Sequence, residues 1–243
     1  MGDLLVLWDV DYTLVNAFGL GTHMYELVFR ELFGRELPAI APKAGRTDRA
    51  ILLDTLALAG IAEPRAHVDD FLAALARRSA AADGTVNVDV RAMPGASAAI
   101  AALAEAGARQ SVLTGNVRPL AELKLGLAGL GEHLDLDVGA YGDAHEVRAE
   151  LVPVARRAAR QAYGADFGGR STVLVGDTSL DVAAALAAGA RAVGVATGSC
   201  SAAELAEAGA HVVLPGLSDV SLVLAAVTGR PRPGYPRRSR RAR

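Results

Sequence analysis

The chain has 243 residues, about half of them hydrophobic, few aromatic, and a formal net charge of −2. That length and apolar share support one α/β domain with an insertion, or two small domains, and exclude a largely disordered chain. One cysteine, Cys200, excludes an intrachain disulfide and fits a reducing compartment. No histidine lies near it in sequence, so it is not read as a nucleophile.

The first residues run into an apolar stretch without a basic leader, and no window holds eighteen uncharged apolar residues. The expectation is a cytoplasmic protein without a membrane span. Residues 4–8 (LLVLW) predict a buried strand ending near Asp9. About a hundred residues then pass before the next strand, too many for one crossover. The interval carries helical patterns near 20–33, 48–59 and 65–81, with Met24, Leu27, Val28 and Leu32 at helical spacing. This predicts an all-helical cap over residues 16–88, inserted after the first strand of a Rossmann-like core formed by residues 1–15 and 89–229.

Further strands are predicted at 109–113, 171–175 and 190–195, with weaker ones at 134–138 and 210–214. Helices near 95–106, 118–128, 149–163, 179–188, 201–208 and 217–227 alternate with them. Gly107, Gly189 and Gly209 stand just past helical segments, where C-cap glycines are common. Alternation of this kind predicts a parallel sheet covered on both faces. Residues 230–243 hold seven arginines and no acid, and the remaining chain carries 18 basic and 27 acidic side chains. The tail is read as a basic, disordered, solubilising end; a role on nucleic acid is the weaker alternative.

Asp9-Val10-Asp11-Tyr12-Thr13-Leu14 follows the first strand directly. Two acids separated by one residue at a strand end can both face the C-terminal edge of a parallel sheet, where ligands bind. One carboxylate can attack phosphorus while the other protonates the leaving group and then activates water. Asp177 ends a second buried strand, and Asp181 lies in the first turn of the next helix. Carboxylates are hard oxygen ligands that suit Mg²⁺. Thr114-Gly115-Asn116 follows the strand at 109–113 and offers a hydroxyl and backbone N–H groups to phosphoryl oxygens. Several acids at one sheet edge need a cation. Arg148 is the best placed, and Lys124 is its competitor.

The order and spacing of these groups resemble the haloacid dehalogenase superfamily of hydrolases. Asp9, Asp11 and Thr13 match its first motif, with Thr13 expected to contact the substrate; Thr114 matches its second, and Asp177 with Asp181 its fourth. The resemblance runs to about residue 227 and is closest to the phosphoglycolate phosphatase-like and β-phosphoglucomutase-like subgroup. It implies a Rossmann-like core with a helical cap. It also implies Mg²⁺ held by Asp9, the backbone carbonyl of Asp11, and Asp177, with Asp181 nearby.

Two residues depart from the family pattern. Tyr12 stands where glycine is usual, and Arg148, followed by Ala149 and Glu150, stands for the usual lysine of the third motif. Gly45-Arg46-Thr47-Asp48-Arg49 resembles a cap loop that faces the site; Arg46 would meet a second substrate anion and Thr47 would add a hydrogen bond or cap a helix.

The expectation is an Mg²⁺-dependent phosphatase acting on a small phosphorylated metabolite, as a monomer or homodimer. A metal-free dehalogenase is disfavoured by Asp11 and the Asp177–Asp181 pair. A sugar-phosphate mutase would use the same acids. A phosphonate hydrolase would need a Schiff-base lysine, for which Lys43 is the candidate.

Overall fold

The structure, a computed structural model, describes residues 3–82 and 89–230. The basic tail beyond Arg230 and the expected end of the cap at residue 88 lie outside the described residues.

The core is a five-stranded parallel sheet in the order β4-β1-β5-β6-β7. Its strands are β1 (Leu5–Trp8), β4 (Arg109–Val112), β5 (Thr172–Gly176), β6 (Arg191–Val195) and β7 (Val212–Leu214). All four residues of β1 are fully buried, as a central strand requires. Alternation along it divides the core. Val6 and Trp8 join the cluster built with Val112, Val173, Val175 and Val193, while Leu5 and Leu7 join Leu113, Leu174 and Ala192 on the other face.

The first face is covered by α4 (Ala96–Glu105), α5 (Arg118–Leu127) and α9 (Val220–Thr228). The second is covered by α6 (Leu151–Tyr163), α7 (Ser179–Ala187) and α8 (Ala202–Glu207). In α6 the buried Leu151, Ala155 and Ala159 recur every four residues, which gives the helix its stripe toward the sheet.

A helical cap follows the first strand: α1 (Leu20–Phe33), α2 (Asp48–Leu58) and α3 (Pro64–Ala81). It is entered through β2 (Val15–Asn16) and left through β3 (Arg91–Ala92), an antiparallel ribbon of two residues per strand. Strands this short carry no periodicity, so none is predicted there. One expected strand is corrected. Residues 134–138 alternate as a strand would, but Leu136–Val138 form a 3₁₀ turn that Asp135 caps through the Asp137 N–H. Sheet pairing resumes beyond it as a single parallel bridge between Leu113 and Ala140. Among the described residues no helix is long and apolar enough to cross a membrane.

Strand order reverses at β1, with β4 on one side and β5 on the other. The crevice outside the carboxyl ends of these three strands is where an open α/β sheet binds ligands. Asp9, Thr114 and Asp177 all lie within two residues of those ends.

Candidate active site

Residues 10–15 fold tightly after β1. The Leu14 and Val15 N–H groups both donate to the Val10 carbonyl, and the Tyr12 N–H to that of Val15. The turn puts Tyr12 at φ 58, in the left-handed region that glycine takes freely. The Thr197 hydroxyl donates to its carbonyl at 2.6 Å. The result sets Asp9 and Asp11 on one wall of a cavity of about 420 Å³ between core and cap. Thr114, Gly115, Asn116, Lys124, Arg148 and Asp177 also line it.

Asp9, Asp177 and Asp181 are all buried, each with a carboxylate oxygen within 4.8 Å of the others. Asp181 is placed by local sequence: with Thr178 it forms a capping box at the start of α7. Gly176 allows this, because a side chain there would meet the Asp181 carboxylate at 2.3 Å. Gly198 similarly makes room for Asp177. Thr13, fully buried, donates its hydroxyl to Asp177 at 3.2 Å. That corrects its expected contact with substrate: Thr13 does not line the cavity, and its hydroxyl is spent on orienting an acid.

Burial pushes the Asp9 carboxyl well above its usual range. Arg148 opposes that rise, while Asp181, Asp177 and Asp11 add to it. Burial and Asp181 push Asp177 up to about 7. Oδ1 of Asp181 is buried without a well-aimed hydrogen bond, although the Arg148 guanidinium stands 2.6 Å away. Three crowded carboxylates, one oxygen unsatisfied, make the donor set of a hard divalent cation.

Two cations serve the site, and they serve different acids. Arg148 occupies the 3₁₀ turn that leads into α6. Its Nη2 donates to Asp9 Oδ1 at 2.6 Å and to the Leu113 carbonyl at 3.1 Å. Lys124, on α5, donates to both Asp11 oxygens and to Asn116 Oδ1, each at 2.7 Å. The alternatives posed by the sequence are therefore not exclusive: Arg148 meets the acid of the first motif's first position, and Lys124 the acid two residues on. Burial works to raise the Asp11 carboxyl, but Lys124 and Asn116 outweigh it and hold it below the usual range. Asn116 Nδ2 adds a bond to Asp11 at 2.6 Å and one to the Thr114 hydroxyl at 2.8 Å.

The cap loop departs from expectation. Arg46 Nη2 donates to Asp54 at 2.6 Å and to the Ala50 carbonyl at 3.0 Å, and Nη1 to the Pro42 carbonyl. Arg46 stands just before the Thr47 N-cap and lines the cavity, and its guanidinium is held by the first two turns of α2 and by the Pro42 carbonyl. Those bonds compete with its expected role on a second substrate anion. Thr47 is the N-cap of α2, accepting from the Ala50 N–H and donating to the Glu146 carbonyl. It is fully buried and does not line the cavity, so of its two expected roles it takes the cap. Lys43 does line the cavity, with its ammonium 2.5 Å from the Thr22 hydroxyl.

Sequence reasoning missed Asp48. Buried at the start of α2, it accepts from the Val117 N–H of the core and from the Tyr25 hydroxyl of the cap, both at 2.7 Å. Burial pushes its carboxyl up to about 6. The Asp48 N–H also donates to the Gly115 carbonyl at 2.7 Å, and the Arg49 N–H to that of Gly142. Nothing local in the sequence marks this seam, since an acid in a first helical turn is ordinarily exposed.

Residues 6–186 match the family described as haloacid dehalogenase-like hydrolase. The chain belongs to that family. It is similar to a plasmid-borne phosphoglycolate phosphatase of Cupriavidus necator, at 32% identity over 186 residues, covering 76% of this chain and 77% of that protein. Two solved structures share the fold: a hydrolase from Pseudomonas syringae (TM-score 0.62, 18% identity, 90% of this chain and 95% of that one) and CbbY from Rhodobacter sphaeroides in complex with phosphate (0.59, 19%, 89% and 95%). The family hydrolase is thus an enzyme whose acid cluster is that of a phosphatase with a divalent-metal site.

Proposed function

We propose that the enzyme hydrolyses a small phosphate monoester through a phosphoaspartate on Asp9, with Mg²⁺ as its metal. The observation that carries this reading is the Asp9–Asp177–Asp181 cluster with Arg148 inside it. Mg²⁺, held by Asp9, Asp177, the Asp11 backbone carbonyl and the nearby Asp181, would neutralise charge on the transferring group.

The protein groups divide the rest. Arg148 holds Asp9 Oδ1, which leaves the other carboxylate oxygen for phosphorus. As that O–P bond forms, the ester O–P bond breaks, and Asp11, which must first take up a proton from solvent against the pull of Lys124, gives it to the departing oxygen. Asp11 then takes a proton from water, which attacks phosphorus and releases Asp9 and inorganic phosphate. Thr114 and the backbone N–H groups of Gly115 and Asn116 are the proposed cradle for phosphoryl oxygens.

A cavity of about 420 Å³ under a docked cap suits a small ester. Lys43 has no carboxylate within ion-pair distance among the described residues, so it supports a leaving group that carries a second anion. Similarity to a phosphoglycolate phosphatase makes phosphoglycolate the first substrate to try. The test is phosphate release from a panel of small esters, with Mg²⁺ and with EDTA, for wild type and Asp9→Asn. Turnover in excess chelator, or a phosphoenzyme formed by Asp9→Asn, contradicts the assignment. Lys43→Ala should raise KM for phosphoglycolate more than for p-nitrophenyl phosphate.

A further inference from the structure

Lys124 is 3% exposed, and an ammonium is strongly hydrated, so its burial is costly unless every donor finds an acceptor. Its three bonds at 2.7 Å use all three N–H groups: one on each oxygen of Asp11 and one on Asn116 Oδ1. None remains for a substrate. Asn116 in turn donates to Asp11 Oδ2 and to Thr114, so the acid, the amide and the hydroxyl form one connected set. The arrangement is one-sided. The Lys124 side chain is 4% exposed and that of Asp11 37%, so the carboxylate is gripped from behind and open toward the cavity. The cap completes the cover: a methyl group on Gly21 of α1 would stand 3.7 Å from the ammonium. Arg148 meanwhile serves Asp9 and Asp181, so the nucleophile does not require Lys124.

We infer that Lys124 is a positioning residue, which fixes the aim of Asp11 for both proton transfers without touching the substrate. This rests on the reading of Asp11 as acid and base. A side chain held by three donors keeps one orientation, and a proton must pass within hydrogen-bond reach of the departing oxygen. Loss of the grip should therefore reproduce the loss of Asp11 itself, in a form that depends on the leaving group.

The experiment compares Lys124→Gln, Asp11→Asn and the double variant, in rapid-quench and steady-state assays with p-nitrophenyl phosphate and with an alkyl phosphate. Lys124→Gln should lower kcat for the alkyl ester by about 10²-fold, within the range of acid/base assistance. It should leave the p-nitrophenol burst largely intact, with phosphate trapped on Asp9. Added to Asp11→Asn, it should cost little more, because the two act as one unit. Equal losses on both esters, a rise confined to KM, or independent losses in the double variant would each overturn the inference. Asp11→Asn without leaving-group dependence would instead overturn the acid/base reading on which it stands. Melting curves guard against misfolding, and Lys124→Met, which fills the same space without a donor, gives the same comparison if the glutamine variant is unstable.

Discussion

Arg148 is the residue on which charge balance at the nucleophile turns. It is buried, and it meets Asp9 and Asp181, 139 and 33 positions away. Burial alone would favour losing its proton, yet the two carboxylates more than offset this and hold the guanidinium charged. Removing one member of such a group leaves charge stranded in a low-dielectric site. Arg148→Ala should therefore cost about 3–5 kcal/mol in urea unfolding in metal-free buffer, and should abolish phosphate release when Mg²⁺ is supplied. Arg148→Lys keeps the charge, but its shorter side chain does not carry a nitrogen as far as Nη2, the one atom that meets Asp9, Asp181 and the Leu113 carbonyl. It should recover stability more fully than activity. A fully active lysine variant would show that the reach of Nη2 is dispensable.

At the scale of the element, α2 joins cap to core. A side chain at Gly115 would meet the Arg46 carbonyl at 1.9 Å, so Gly115→Ala must push the cap loop outward. Displacements of about 1 Å can cost about 10²-fold in rate. Gly115→Ala should lower kcat/KM on that order and lower the melting temperature as well, since the clash is with backbone at the seam. An unaltered rate would mean that the cap loop need not dock for catalysis.

Asp48, at the same seam, sets a pH dependence. Its folded pKa of about 6 lies above the ordinary carboxylate value. A raised carboxyl contributes stability that is full below about pH 4 and is lost as pH rises through about 6. Asn cannot titrate. The stability of wild type relative to Asp48→Asn should therefore fall by about 1–3 kcal/mol between pH 4 and pH 7, then level off. Chemical denaturation of both proteins across that range measures it, and a difference that rises with pH would contradict the burial of Asp48.

For the whole molecule, the acid cluster makes metal and pH act together. Asp9 and Asp177 both have raised carboxyls, Asp177 to about 7. The metal-free protein should lose stability as pH rises through that value, the reverse of what a salt-bridged carboxylate gives. A cation binds the deprotonated cluster, so it competes with protons. Added Mg²⁺ should raise the melting temperature more at pH 8 than at pH 5, measured against EDTA at each pH. An equal shift at both values, or none, would remove the metal from the cluster.

Much of this was legible in order and spacing. Buried apolar runs ending in Asp9 and Asp177 placed both acids at strand ends, and Thr178 three residues before Asp181 marked the helix start that aims it. Period-two and period-four patterns are local, because side chains alternate along a strand and line one face of a helix wherever the element later packs.

What only the tertiary structure decided is which charge meets which. Lys124 and Asp11 are 113 residues apart, and Asp48 reaches Val117 across 69. Those meetings depend on strand order, on the seating of the cap and on glycines that let backbones touch. No local pattern encodes them, because the free energy of a buried ion pair belongs to the site that encloses it and not to the segments that supply its members.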